Sequence, residues 1–158
     1  MIDNVEGAIV HLAARKTAFA AISRAPIEKI EAFQKRMGWR FPWFSSFNNS
    51  FNYDFHVTLD PAKGSVDYNY ANASDLVKAG KLWYDKGELP GLSVFLRDGA
   101  SVYHTYSVYQ RGLDLLLNTY NLLDFTPLGR QEVNEPAQGW IRYHDRYSEP
   151  AVQILAAR

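Results

Sequence analysis

None of the 158 residues is cysteine. The chain therefore has no disulfide, no thiolate metal ligand and no thiol nucleophile of its own. It also lacks any apolar run near the roughly 18 residues of a membrane-spanning helix. Neither sign of charge prevails, since 17 Lys and Arg stand against 17 Asp and Glu. No net field draws the chain to nucleic acid or to an anionic membrane, and neither is expected as a partner. The histidines are His11, His56, His104 and His144, and none lies three or four residues from another. A zinc site would have to be assembled from distant segments, so no metal and no cofactor is expected. Asp3 and Glu6 stand where a signal peptide would carry basic residues, which sets a cytoplasmic location as the expectation.

What is present is apolar and aromatic: 47% hydrophobic residues, 15% Phe, Trp and Tyr. There is no internal repeat. Ile2, Val5, Ile9 and Leu12 form a helical stripe, which predicts a helix over 2–15. "TAFAAIS" predicts a buried parallel strand over 17–23. The next segment, "APIEKIEAFQKRMGW", is a punctuated helix, with Pro26 at its start, Glu28 in the first turn and Gly38 as the left-handed stop. "FPWFSS" predicts a short second strand. Residues 47–89 are irregular and too long for a plain loop, so they are expected to be an insertion with its own packing or function. Within them Ser74 is the expected cap of a short helix. Asp98-Gly99 between two apolar runs predicts an antiparallel hairpin, about 92–97 and 101–107. "RGLDLLLNTYNLLDFTPLG" predicts the last helix, and the aromatic tail 128–158 is expected to dock on the body.

One strand placed ahead of this order would give β-α-β-α-(β)-β-β-α. The expected fold class is α/β with α+β character: a single thioredoxin-like domain over 1–158. Its mixed sheet would have a parallel βαβ half and an antiparallel ββα half, and would be N-terminally incomplete. "HLAARKTAFAAISRAPIEKIEAFQKRMGWRFPWFSS", "FNYDF", "LPGLSVFLRDG" and "VYHTYSVYQRGLDLLLNTYNLLDFTPLGR" together resemble the DUF899 family. That is a bacterial family of the thioredoxin-like superfamily, described as predicted dithiol–disulfide oxidoreductases. The stretch "ISRAPIEKIEAFQKRMGWRFPWFSS" is also similar to the corresponding part of peroxiredoxins. The resemblance implies a Cys-x-x-Cys pair at the N-terminus of the helix that starts here at Ile2, and this chain has none. The expected function is that of a protein related to thiol–disulfide oxidoreductases but redox-inactive as this chain. The alternative is a ligand-binding or oligomerisation module built on the aromatic insertion.

Several residues are candidates for a site. Pro90 occupies the place of the superfamily's groove proline, with Gly91 intervening before the strand. A cis-proline and an ordinary trans turn are both open there. Arg24 follows the first strand, where α/β sheets gather ligands, and is a candidate anion binder with the amides of the next helix. His104 is a candidate groove residue of the second hairpin strand. Tyr53, Phe55, Tyr68 and Tyr70 are a candidate stacking platform or interface. Asp54 and His56 would share a face if they lay in a strand, and His144-Asp145 is a candidate oriented imidazole. In the thioredoxin-like plan the strands 17–23 and 92–97 would flank a central strand absent here. Direct closure or self-filling of that gap is expected ahead of a donated strand, and exposed edges predict a homodimer.

Overall fold

The computed structural model describes residues 2–63, 67–68, 71–80, 86–133 and 138–148. The chain is a mixed α/β protein of short helices and two-stranded sheets. Its helices are α1 (Ile9–Ala14), α2 (Ile27–Met37), α3 (Phe51–Asp54), α4 (Ala73–Lys78) and α5 (Asn118–Leu123). Its strands are β1 (Ala21–Ser23), β2 (Trp43–Ser45), β3 (Thr58–Leu59), β4 (Asp67–Tyr68), β5 (Ala71–Asn72), β6 (Gly87–Glu88), β7 (Gly91–Asp98) and β8 (Ser101–Tyr109). They pair as β1–β2, β3–β6, β4–β5 and β7–β8. The single mixed sheet expected from the sequence is not formed among the described residues, and neither is direct closure of strand 17–23 onto strand 92–97. Among the described residues, no helix is long and apolar enough to cross a membrane.

The chain divides into two compact units. The first comprises Met1–Ile22, Pro26–Phe44 and Leu117–Arg158. Its core is Ala21, Met37, Trp39 and Phe41, with Ile2, Ile9, Phe19, Phe33 and Trp43 packed against them. Phe41 sits edge-on to Phe19 at 5.3 Å between ring centroids and stacks on Trp39 at 5.4 Å. The predicted helix 2–15 is shorter than expected. Ile2–Asn4 and Glu6–Ala8 are 3₁₀ turns, and only Ile9–Ala14 is α-helical. The stripe placed its apolar residues correctly, but α-helical hydrogen bonding begins only after Gly7, a poor helix former. Of the strand predicted over 17–23, only Ala21–Ser23 pairs.

Helix α2 follows its punctuation. Ile30 and Met37 are buried, and Gly38 ends the helix at φ +66°, where glycine has no Cβ to clash. The helix joins two parallel strands. The Ala21 amide donates to Pro42 O at 2.9 Å and the Ser46 amide to Ser23 O at 3.0 Å, so both partners advance together along the chain. The expected last helix is broken. Gln110–Leu116 is 3₁₀, Leu117 is non-helical, and α5 carries the buried Tyr120.

The second unit comprises Ser23–Ala25 and Ser45–Leu116. Among its described residues, Val57, Leu59, Leu76 and Leu113 are the buried apolar ones. Helix α4 is capped by Asn72, whose side chain accepts from the Asp75 amide, and not by Ser74. The hairpin β7–β8 pairs Gly91 with Tyr109 and Asp98 with Ser101, and Gly99 takes φ +58° in its turn. Val94 faces Tyr106 while Phe95 faces His104, so Thr105 is an extra residue in β8, a β-bulge.

Candidate functional site

Helix α3 lies within the insertion and directs polar and aromatic side chains to different neighbours. On the polar side, buried Asn52 accepts from Ser46 Oγ at 2.5 Å and donates from Nδ2 to Glu88 Oε2 at 2.6 Å. Glu88 also accepts from Thr58 Oγ1 at 2.8 Å and from Arg24 Nη1 at 3.0 Å. Arg24 Nη2 makes a long 3.4 Å hydrogen bond to the Tyr53 hydroxyl, which in turn donates to Asp60 Oδ2 at 3.1 Å. Hydrogen bonds to Tyr53 and then Glu88 hold the Arg24 guanidinium above its ordinary pKa, against a smaller effect of burial. The Tyr53 ring has Arg24 Cζ at 4.7 Å and Lys63 Nζ at 3.9 Å from its centroid. Arg24 therefore meets a carboxylate of the chain itself, that of Glu88, at the end of β1. Tyr53 is half-buried, with its ring and hydroxyl both engaged in this network.

On the aromatic side, Phe55 stacks on Phe51 at 4.5 Å and stands edge-on to Phe95 at 6.0 Å and to His104 at 5.8 Å. His104 Nε2 lies 2.7 Å from Ser107 Oγ and 3.1 Å from the Tyr106 carbonyl, and Ser107 Oγ lies 2.7 Å from Ser93 Oγ. Strict alternation puts residues three apart on opposite faces. The bulge at Thr105 shifts that alternation and brings His104 and Ser107 together. The direction of the His104–Ser107 hydrogen bond follows the tautomer of the ring, since a serine hydroxyl both donates and accepts.

Other sequence candidates fall as follows. The Pro90 peptide is trans. Gly91 opens β7 where an added Cβ would come within 2.9 Å of Val57 Cγ1 and 3.0 Å of the Tyr109 ring, so close packing requires the glycine. Tyr68 is half-buried in β4, and Tyr70 lies outside the described residues. Asp54 ends α3 and accepts from Ser50 Oγ at 2.7 Å, while His56 follows at φ +53°. The strand that would have aligned that pair is not present.

In the first unit the carboxylate that orients His144 is Asp3, not its neighbour Asp145. Asp3 accepts from His144 Nδ1 at 2.6 Å, from the His144 amide at 2.9 Å and from Trp39 Nε1 at 3.1 Å. Asp145 pairs with Arg36 at 3.0 Å. Burial raises the Asp3 carboxyl, but the hydrogen bonds from His144 and Trp39 outweigh it and hold the group below its ordinary 3.8. A second anchor lies at Glu132, which accepts from the Tyr120 hydroxyl, from Trp140 Nε1 at 2.9 Å and from the Gln138 amide at 2.8 Å. Burial and then the bond to Glu132 push the Tyr120 hydroxyl up to about 12. Both anchors hold the tail segment 138–148, so the docking expected from its aromatics takes place within this unit.

Because the Asp3 pKa is depressed on folding, its contribution is present above the ordinary 3.8 and is lost as pH falls through the lower folded value. Asp3→Asn keeps the shape and removes the charge. Amide exchange across 138–148 is expected to quicken about tenfold, the equivalent of about 1.4 kcal/mol from one charge-assisted hydrogen bond. Strong acid should produce the same loosening in the unsubstituted protein, and mass-detected exchange reads both.

A thiol-free α/β protein with an internally neutralised polar network at the end of its first strand is thus defined. A family profile described as "Bacterial protein of unknown function (DUF899)" matches residues 1–147, and the chain belongs to that family. No curated protein and no solved structure matches it.

Proposed function

We propose that the chain is a thioredoxin-like domain related to thiol–disulfide oxidoreductases that performs no dithiol exchange itself and acts by binding, as a cytoplasmic protein. The observation that carries this reading is the complete absence of cysteine, because the attacking group in such exchange is a thiolate. Support for the thioredoxin-like plan comes from the order of elements: a parallel β1-α2-β2 unit, then an antiparallel hairpin, then a helical segment. The insertion was the sequence's first choice as binding surface. Its described aromatics Tyr53 and Phe55 are engaged by Arg24, Lys63, Phe51, Phe95 and His104, which favours the exposed hairpin instead. In dithiothreitol-coupled insulin reduction, and in peroxide reduction, the purified chain is expected to give the rate of the uncatalysed reaction. Turnover above that rate, proportional to protein, overturns the reading.

A further inference from the structure

Among the described residues, His144 is the one histidine whose ring is held by a carboxylate. Asp3 grips this residue twice. Oδ1 accepts from the ring at Nδ1, 2.6 Å away, and Oδ2 accepts from the His144 backbone amide at 2.9 Å. A ring tied to the same carboxylate as its own backbone cannot swing away without breaking a charge-assisted bond. The buried Trp39 fixes that carboxylate in turn, donating from Nε1 at 3.1 Å. Asp3 is ionised at neutral pH, since its carboxyl lies below the ordinary 3.8. An ionised carboxylate only accepts, so Nδ1 carries a proton and the lone pair of the neutral ring is on Nε2. Nε2 has no hydrogen-bond partner among the described residues, and the side chain is 55% exposed. By contrast, His104 Nε2 has Ser107 Oγ at 2.7 Å and the Tyr106 carbonyl at 3.1 Å. Docking of the tail uses the His144 amide and needs no lone pair on Nε2. An imidazole held through one nitrogen by a carboxylate, with the other open, is prepared for attack on an electrophile.

The surroundings select the electrophile. A phosphoryl donor is anionic and calls for free cations to hold it. Arg36 is taken by Asp145 at 3.0 Å, and Arg146 leans on the same carboxylate at 3.9 Å. Arg142 gives Nη1 to the Gly139 and Ile141 carbonyls. An uncharged acyl donor needs none of these guanidinium groups and meets no repulsion from Asp3.

We infer that His144 Nε2, positioned by Asp3, is a nucleophilic site for small, uncharged, activated acyl compounds. The Nε2 lone pair attacks the carbonyl carbon. The bond from that carbon to the leaving oxygen breaks, and its electron pair departs with the oxygen. The acylated ring is a cation that shares its Nδ1 proton with Asp3. Water then attacks the acyl carbon, and the carbon–nitrogen bond breaks with its electron pair returning to Nε2. The carboxylic acid and one proton are released. No thiol takes part, so this inference goes beyond the reading above and fails or stands apart from it.

The experiment is carried out on the full chain. Heteronuclear spectra of the histidine rings should show His144 as the Nδ1–H tautomer, and Asp3→Ala should abolish that preference. Substoichiometric diethyl pyrocarbonate should modify His144 ahead of His11, His56 and His104. With p-nitrophenyl acetate, His144→Gln should slow hydrolysis at least about tenfold, a modest share of what a positioned imidazole supplies. His11→Gln should leave the rate unchanged. The spectra and the modification map of the unsubstituted protein cover the case of a variant that fails to fold. An Nε2–H tautomer at His144, reagent spread evenly over the histidines, or hydrolysis unchanged in His144→Gln overturns the inference.

Discussion

Phe41→Ala is expected to remove about 3–5 kcal/mol of stability from the first unit, the usual cost of truncating a buried phenylalanine. Phe41 is 1% exposed, touches Phe19 and Trp39 ring to ring, and lies among the residues that bury Ala21 and Met37. Native stability is about 5–15 kcal/mol, so the substitution consumes a large part of it. Denaturant titration followed by tryptophan fluorescence reads the effect, because Trp39 and Trp43 belong to the same cluster. Phe44→Ala is the control. Its side chain is 57% exposed, and the expected change is within about 0.5 kcal/mol. Equal losses at the two positions would mean that Phe41 is not the centre of this core.

Glu88→Ala should be the most damaging single change in the second unit's polar network. Three donors lose their acceptor at once: Asn52 Nδ2, Thr58 Oγ1 and Arg24 Nη1. Asn52 is buried, so its amide cannot turn to water. An unsatisfied buried donor costs about 1–3 kcal/mol, and about 2 kcal/mol is the expected loss. Glu88→Gln retains one acceptor oxygen and should lose less. Arg24→Ala in the Glu88→Ala background should cost little more, since the pair acts together. Thermal unfolding of the three variants beside the parent measures this. A Glu88→Ala protein as stable as the parent would show that the network is ornamental.

Where local chemistry decides, the sequence was legible. Pro26, Glu28 and Gly38 bound α2 because proline, first-turn acid and left-handed glycine each act within a few residues. The Asp98-Gly99 turn fixed the hairpin for the same reason, and the strands extend only a residue or two beyond the expected limits. Legibility failed where partners are far apart. Glu88 and Asn52 are 36 residues apart and Asp3 and His144 are 141 apart, and no periodicity links them. Asp145 was the nearer carboxylate to His144 along the chain, but Arg36 takes it. The break at Leu117 had no glycine or proline to announce it, because the leucine run is equally compatible with one long helix. The bulge at Thr105 was also hidden. β-branched residues suit regular strands, and only the observed register shows the extra residue that brings His104 to Ser107.

The aromatics sort the same way. The aromatics of the insertion were candidates for a stacking platform or an interface, and the structure sets Lys63 against the Tyr53 ring and Phe51 against the Phe55 ring. On the hairpin, Tyr103 and Tyr106 stand exposed.

The claim that this thiol-free chain performs no dithiol exchange is tested most directly by following insulin reduction by dithiothreitol at rising concentrations of the chain. The account predicts a rate that does not change with the amount of chain. A rate that rises in proportion to the chain would contradict it.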